Sequence, residues 1–165
     1  MNDIGEQLNQ GKQLKLACAL WLHPRSRFLS HSCYLHPFVR GIATGELARK
    51  SFAQYIGQDY FFLHAFHKAY MQGSRRSNNE ETKAAFLALA QGVLEELKLH
   101  ASYSIELGIN LQSIEPYSAT TKYINFLAQI SEEGNLVELV ASMVPCMRLY
   151  AWLGQSISTF LSFLG

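Results

Sequence analysis

The sequence predicts an all-α fold, a bundle of about five to six helices, on three observations. Apolar residues recur at helical spacing over most of the chain. No run of β-branched residues alternates strictly with polar ones, as a half-buried strand would require. Cap-forming and helix-stopping residues stand where the periodic segments begin and end.

Each element can be justified in turn. A first helix is expected near 4–22. The start, MNDIGEQLNQGKQLKL, is polar and carries no apolar core behind a basic opening, so no signal peptide is expected. His36-Pro37 and Gly45 bracket a short helix near 37–43. The next helix, near 46–72, carries Phe52, Tyr55, Ile56, Asp59, Phe62, Leu63, Phe66 and Tyr70 on one stripe. A polar loop is expected over Gly73–Asn79. Asn79, followed by Glu80 and Glu81, is an N-cap with acidic first-turn residues, opening a helix over 79–107. Phe86, Leu89, Ala90, Val93, Leu94, Leu97 and Ile105 form its apolar stripe, and Gly108 stands where a left-handed residue would end it. Ser118 precedes a helix over 118–131, Glu132–Asn135 make a turn, and a last helix fills 135–164. That helix ends on Ile157, Phe160, Leu161, Phe163 and Leu164, an apolar face expected to pack against something or to continue.

Composition narrows the function classes. The 165 residues suit one domain, 1–165, and 48% apolar residues are enough for a sizeable core. Charged residues are only 16%, below the roughly 25% of an average soluble domain, so part of the surface is expected to be covered by subunits or further chain. The net charge of +1 and the scattered basic residues leave no footprint for nucleic acid or an anionic membrane. No stretch reaches the roughly 18 consecutive apolar residues of a membrane span, so no membrane partner is expected. Cys18, Cys33 and Cys146, an odd set without paired spacing, argue against a disulfide framework and a zinc site, and suit a reducing, cytoplasmic setting.

Two segments hold candidate chemistry. Asp59 lies on the aromatic stripe with Tyr55, Phe62 and Phe66, where a carboxylate is costly to bury without a partner. It reads either as a structural carboxylate bonded to a helix end or lysine, or as a grip on a polar ligand held against aromatic walls. Cys146 and Tyr150 are four apart and share a helix face, just after Pro145, which bends or starts the helix there. Cys146 reads either as a small buried hydrophobe or as a thiol activated by an acid–base pair. Among the histidines, only Glu96 and His100 approach an iron-binding box, at the wrong spacing, so no metal is expected. No HExxH, GxSxG, P-loop or GxGxxG motif occurs.

Three blocks resemble the TenA/thiaminase II family. They are His36-Pro37-Phe38-Val39-Arg40-Gly41-Ile42-Ala43-Thr44-Gly45-Glu46-Leu47 with Phe52, Tyr55, Ile56, Gln58 and Asp59; then Glu95-Glu96-Leu97-Lys98-Leu99-His100; then Pro145-Cys146-Met147-Arg148-Leu149-Tyr150 with Gly154. The resemblance implies a haem-oxygenase-like helical bundle, assembled as a homo-oligomer (tetramer or dimer). It implies thiamine salvage by hydrolysis of aminomethylpyrimidine to hydroxymethylpyrimidine and ammonia, without metal or organic cofactor. By position, Asp59 would hold the ring nitrogen and amino group of the pyrimidine, and Cys146 would be the nucleophile. Tyr150 would line the pocket with Tyr55 and Phe62. Phe62 stands where many members carry a tyrosine, so it can pack but not hydrogen-bond. The resemblance also implies further helices bearing a second pocket tyrosine and a glutamate proton donor, which this sequence does not supply. The alternative expectation is therefore a pyrimidine-binding or interaction protein that keeps the bundle and has little or no turnover. A transcriptional regulator is disfavoured, because no basic recognition helix is present.

Overall fold

Prolines open the first two helices and glycines close several of the others. The computed structural model describes residues 16–164. These fall into two compact units divided after Glu46.

In the first unit, residues 16–22 are helical, and the rest of the helix expected at 4–22 lies outside the described residues. Two helices follow, α1 (Pro24–Tyr34) and α2 (Pro37–Thr44). Both begin with His-Pro: the imidazole of His23 accepts from the Arg25 amide and that of His36 from the Phe38 amide. Proline at the first helical position loses nothing, because its missing N–H would have been unsatisfied anyway. α2 ends at Gly45 in the left-handed conformation, φ 72°. α1 was not foreseen: its only buried residue is Ser30, so it lacks the apolar stripe that reveals a helix in sequence.

The second unit contains α3 (Arg49–Arg76), α4 (Glu80–Leu107), a 3₁₀ turn (Leu111–Ser113), α5 (Ser118–Glu133) and α6 (Leu136–Leu164), with no strand among the described residues. The fold is all-helical, as the periodicity predicted. α3 and α4 pack along their lengths, α5 lies on α3, and α6 contacts α5 and α3. Gly73 of α3 faces the Phe86 ring of α4, so close that a Cβ there would overlap it. Polar clamps fix the ends. The Arg49 guanidinium donates to the Glu106 carbonyl. Arg76 donates to the carbonyls of Gly134 at 2.6 Å and Glu132 at 2.9 Å. The Gln58 side chain donates to the Glu115 carbonyl and accepts from the Tyr117 amide and the Thr120 hydroxyl, pinning the start of α5.

The expected loop over Gly73–Asn79 is shorter than the sequence suggested. Gly73–Arg76 remain helical, because Gly73 is needed against Phe86 and Arg76 is held by α5. Ser77 then closes α3 by donating to the Gly73 carbonyl. Asn79 caps α4 by accepting from the Thr82 amide at 2.7 Å, and Gly108 ends it at φ 68°. Asn135 and Glu138 form a capping box at the start of α6: Asn135 accepts from the Val137 and Glu138 amides, and Glu138 accepts from the Asn135 amide. Pro145 does not start a helix; it sits inside α6.

The core joins all four long helices. Leu63, Phe66, Ala69 and Tyr70 of α3 meet Phe86, Ala90 and Val93 of α4, Leu127 of α5, and Leu139 and Met143 of α6. Each large side chain buried there contributes roughly 1.5–3 kcal/mol. The expected α4 stripe is only partly inward: Leu89, Leu94 and Ile105 are exposed. α6 also corrects the reading of its hydropathy. Leu136–Thr159, 24 residues with mean hydropathy 1.4, is long and apolar enough to cross a membrane by length and composition. A search for uninterrupted apolar runs misses it because Glu138 and Arg148 intervene. In this fold the helix lays Leu139 and Met143 into the shared core, while only 11% of its most apolar stretch is buried.

Candidate active site

α3 places Asp59 one turn after Tyr55 and one turn before Leu63, on the buried side of the helix. The carboxylate is 9% exposed and meets His100 of α4, 4% exposed, with Nε2 2.9 Å from Oδ2. The other ring nitrogen, Nδ1, lies 3.0 Å from the Glu96 carbonyl oxygen. A backbone carbonyl can only accept, so Nδ1 carries a proton; a second proton on Nε2 then makes an imidazolium–carboxylate pair. Burial opposes that charge, but the hydrogen bond and charge of Asp59 overcome it and hold the His100 pKa above its usual value. The structural partner of Asp59 is therefore a histidine, neither a helix end nor a lysine.

Around the pair stand three further polar groups. The Tyr55 hydroxyl donates to Asp59 Oδ2 at 3.4 Å. It also interacts with the Tyr150 hydroxyl, linking α3 to α6. Burial, with Asp59 and Tyr150 beside it, raises the Tyr55 pKa. Tyr150 is pushed up to about 12 by burial and then by Asp59 and Cys146; its ring is half open while its hydroxyl end is enclosed. Glu96 is raised, first by burial and then by the Asp59 charge, with His100 opposing.

Cys146 comes to this cluster from α6. It is half-buried against the core, and burial, followed by the Asp59 charge, pushes its thiol up to about 11. At neutral pH it is a neutral thiol. Tyr70 and Tyr123 lie within its electrostatic reach, and burial followed by Cys146 raises both. Tyr123 donates to the Ser142 carbonyl of α6 at 3.2 Å. Phe62 stacks between Phe66, 4.4 Å away by ring centroids, and Tyr123 at 5.2 Å, making an aromatic wall beside the polar groups.

The five residues singled out in the sequence, Tyr55, Asp59, Phe62, Cys146 and Tyr150, thus belong to one connected region. Sequence reasoning passed over Tyr123, took Tyr70 only as part of the apolar stripe, and had no partner for Asp59. The spacing of Glu96 and His100 was the available signal, but it was weighed only for metal. Donor atoms of Asp59, Glu96 and His100 do lie within 4.8 Å of one another. His100 already directs one nitrogen at a carbonyl and the other at Asp59, so the trio as it stands is an ion pair with a neighbouring acid. To ligate a metal, the ring would have to surrender its bond to Asp59.

The chain is thus an all-helical bundle with a buried carboxylate–imidazole pair and a cysteine and a tyrosine within reach of its charge. Residues 23–163 match the TENA/THI-4/PQQC family, and the chain belongs to it. It is similar to the aminopyrimidine aminohydrolase of Halalkalibacterium halodurans, 30% identical over 146 residues, covering 86% of this chain and 65% of that protein. It is likewise similar to the aminopyrimidine aminohydrolase of Helicobacter pylori, 30% identical, covering 84% of this chain and 65% of that one. Among solved structures, a TenA family transcription regulator from Silicibacter sp. TM1040 superposes with a TM-score of 0.73 at 26% identity, covering 79% of this chain and 60% of that one. The chain spans about 65% of the length of these curated relatives.

Proposed function

We propose that this chain carries the substrate-binding and nucleophilic half of a thiaminase II-type aminopyrimidine aminohydrolase. It would hydrolyse aminomethylpyrimidine to hydroxymethylpyrimidine and ammonia in thiamine salvage. The carrying observation is the juxtaposition of Asp59, already paired with His100, and Cys146, whose thiol feels the Asp59 charge.

The chemistry follows from the groups present. Asp59 accepts from the amino group of the pyrimidine edge and from the adjacent ring nitrogen when that nitrogen is protonated, and the His100 pair fixes its orientation. Phe62, held between Phe66 and Tyr123, gives the region an apolar aromatic border. Cys146 Sγ forms a bond to a ring carbon while its proton passes to the carboxylate or the ring. The electron-richer adduct then expels ammonia from the methylene arm, which leaves with one added proton. Water adds at that methylene, loses a proton, and Sγ departs as the aromatic ring re-forms. One difficult displacement becomes a series of easier steps. Tyr150 and Tyr55 line the same region and hydrogen-bond one another. No metal or organic cofactor enters this scheme. A homo-oligomer, dimer or tetramer, in the cytoplasm belongs to the same proposal, with neither nucleic acid nor membrane as partner.

A second reading has one observation in its favour. The resting thiol, at about 11, is poorly disposed to attack unaided. A chain that binds the pyrimidine without turning it over would keep the same carboxylate pair and aromatic wall. Ammonia release from aminomethylpyrimidine, measured beside binding of hydroxymethylpyrimidine, separates the two. The hydrolase reading expects turnover in the native chain and a loss of about 10³-fold or more in Cys146→Ser. Equal turnover in both proteins overturns the nucleophile assignment, and binding with no turnover selects the second reading.

A further inference from the structure

The side of α3 turned away from Asp59 lines a second concavity. Between α3 and α5 lies a cleft of about 750 Å³, within the range of small-molecule sites. Its α3 wall carries His64, His67, Lys68 and Arg75, four nitrogen-bearing side chains within about three helical turns. None of them has a carboxylate within ion-pair distance among the described residues, although Lys83, Lys98 and His100 do. Glu132 borders the cleft, yet only its backbone carbonyl is engaged, by Arg76. In the same lining, Ser131 is 6% exposed and its hydroxyl meets no hydrogen-bond partner. A buried hydroxyl without a partner is costly. Phe61 and Ile124 add apolar surface to the lining.

We propose that this cleft binds a small organic phosphate, its phosphate held by Lys68, Arg75 and the two histidines and its carbon portion against Phe61 and Ile124. Three features select this ligand class. Lys68 and Arg75, both without a carboxylate partner among the described residues, border it together, as an anionic phosphate requires. The buried Ser131, its hydroxyl without a partner, belongs to the lining of the same cleft. The volume exceeds what an inorganic ion would fill. The His64 pKa is lowered first by burial and then by the charges of the neighbouring Lys68 and His67. A bound phosphate would relieve that repulsion. The proposal does not depend on the catalytic reading, since none of these residues belongs to the Asp59–Cys146 region.

Calorimetric titration of the chain with phenyl phosphate and, separately, with inorganic phosphate tests it. NMR titration of the His64 ring with and without phenyl phosphate gives a second readout. Phenyl phosphate is expected to bind more tightly than inorganic phosphate and to raise the His64 pKa. The Lys68→Gln, Arg75→Gln double variant, altered only at exposed positions, is expected to lose at least about tenfold in affinity. Lys83→Gln, at an unrelated exposed lysine position on α4, is expected to leave affinity unchanged. Equal affinity for the two phosphates overturns the organic-ligand assignment. Absence of binding by both, or an equal loss in Lys83→Gln, overturns the site.

Discussion

The two walls that carry the candidate chemistry are built differently. On the α3–α4 side, Asp59 and His100 are almost fully enclosed and hydrogen-bonded to each other, on the two helices that also bring Phe66, Tyr70, Phe86 and Val93 to the core. On the α6 side, Leu139 and Met143 reach the core, while Val137, Val140, Val144 and Met147 leave an exposed apolar face. The carboxylate is thus held ready by close packing, whereas the sulfur rides on a helix packed on one side only. Orientation comes from the first wall and nucleophilicity must be induced at the second. Four measurements can break or sharpen that contrast.

The largest effect belongs to the packed wall. Phe66 is 2% exposed and lies between the stacked Phe62 and the edge-on Tyr70. Phe66→Ala removes a ring from a site closed on three helices and should destabilise by about 3–5 kcal/mol in denaturant unfolding. A loss near that of an exposed residue would mean that the α3–α4 wall is no more rigid than α6.

Next comes the sulfur. Folding moves the Cys146 thiol from 9.0 to about 11, which lowers its thiolate fraction about 100-fold below pH 9, equivalent to about 2.7 kcal/mol. Alkylation of Cys146 by iodoacetamide at pH 8 should therefore be at least about 100-fold slower in the native chain than in urea. Comparable rates would show a thiol activated without substrate, and the contrast between the walls would disappear.

The pH dependence of stability tests the ion pair. Because folding raises the His100 pKa, the native state holds that proton more tightly than the unfolded chain. The contribution is full below the ordinary histidine value of 6.5 and is lost as pH rises through the higher native value. Asp59→Asn should lower stability by about 1.5–3 kcal/mol at pH 6, with the gap to the native chain narrowing towards pH 9. A gap that stays constant with pH would mean that His100 is neutral in the native state, with Asp59 supplying the shared proton.

What could be read beforehand follows the same division. The stripe through Ile56, Asp59, Leu63, Phe66 and Tyr70 was legible because one helix repeats its buried face every three or four residues. Cys146 and Tyr150 were legible for the same reason. His100 was not identified as the partner of Asp59, since 41 residues separate them and nothing local in either helix encodes the pairing. Tyr123 was hidden in the same way: its ring meets Phe62 only once α5 lies across α3. α1 escaped because its faces are nearly alike, although His23-Pro24 repeats the His36-Pro37 start that did reveal α2. Local periodicity gives faces, and only tertiary packing decides which faces meet.

The smallest effect is expected on the open side of α6. Met147 is 46% exposed and, with Val144, 50% exposed, stands at the margin of the face that Leu139 and Met143 bury. Truncation there leaves no enclosed cavity, because nearly half of the residue is open to solvent. Met147→Ala should change the stability of the isolated chain by no more than about 0.5 kcal/mol. The same helix carries Cys146 one residue earlier, so a neutral result would show that the sulfur is positioned by the inward Leu139–Met143 contacts alone. A loss of 2 kcal/mol or more, within the range of about 2–5 for a buried Met→Ala change, would instead reveal that this flank is covered. The two walls would then be equally packed, and the low reactivity expected of Cys146 would have to come from enclosure on both sides of its helix.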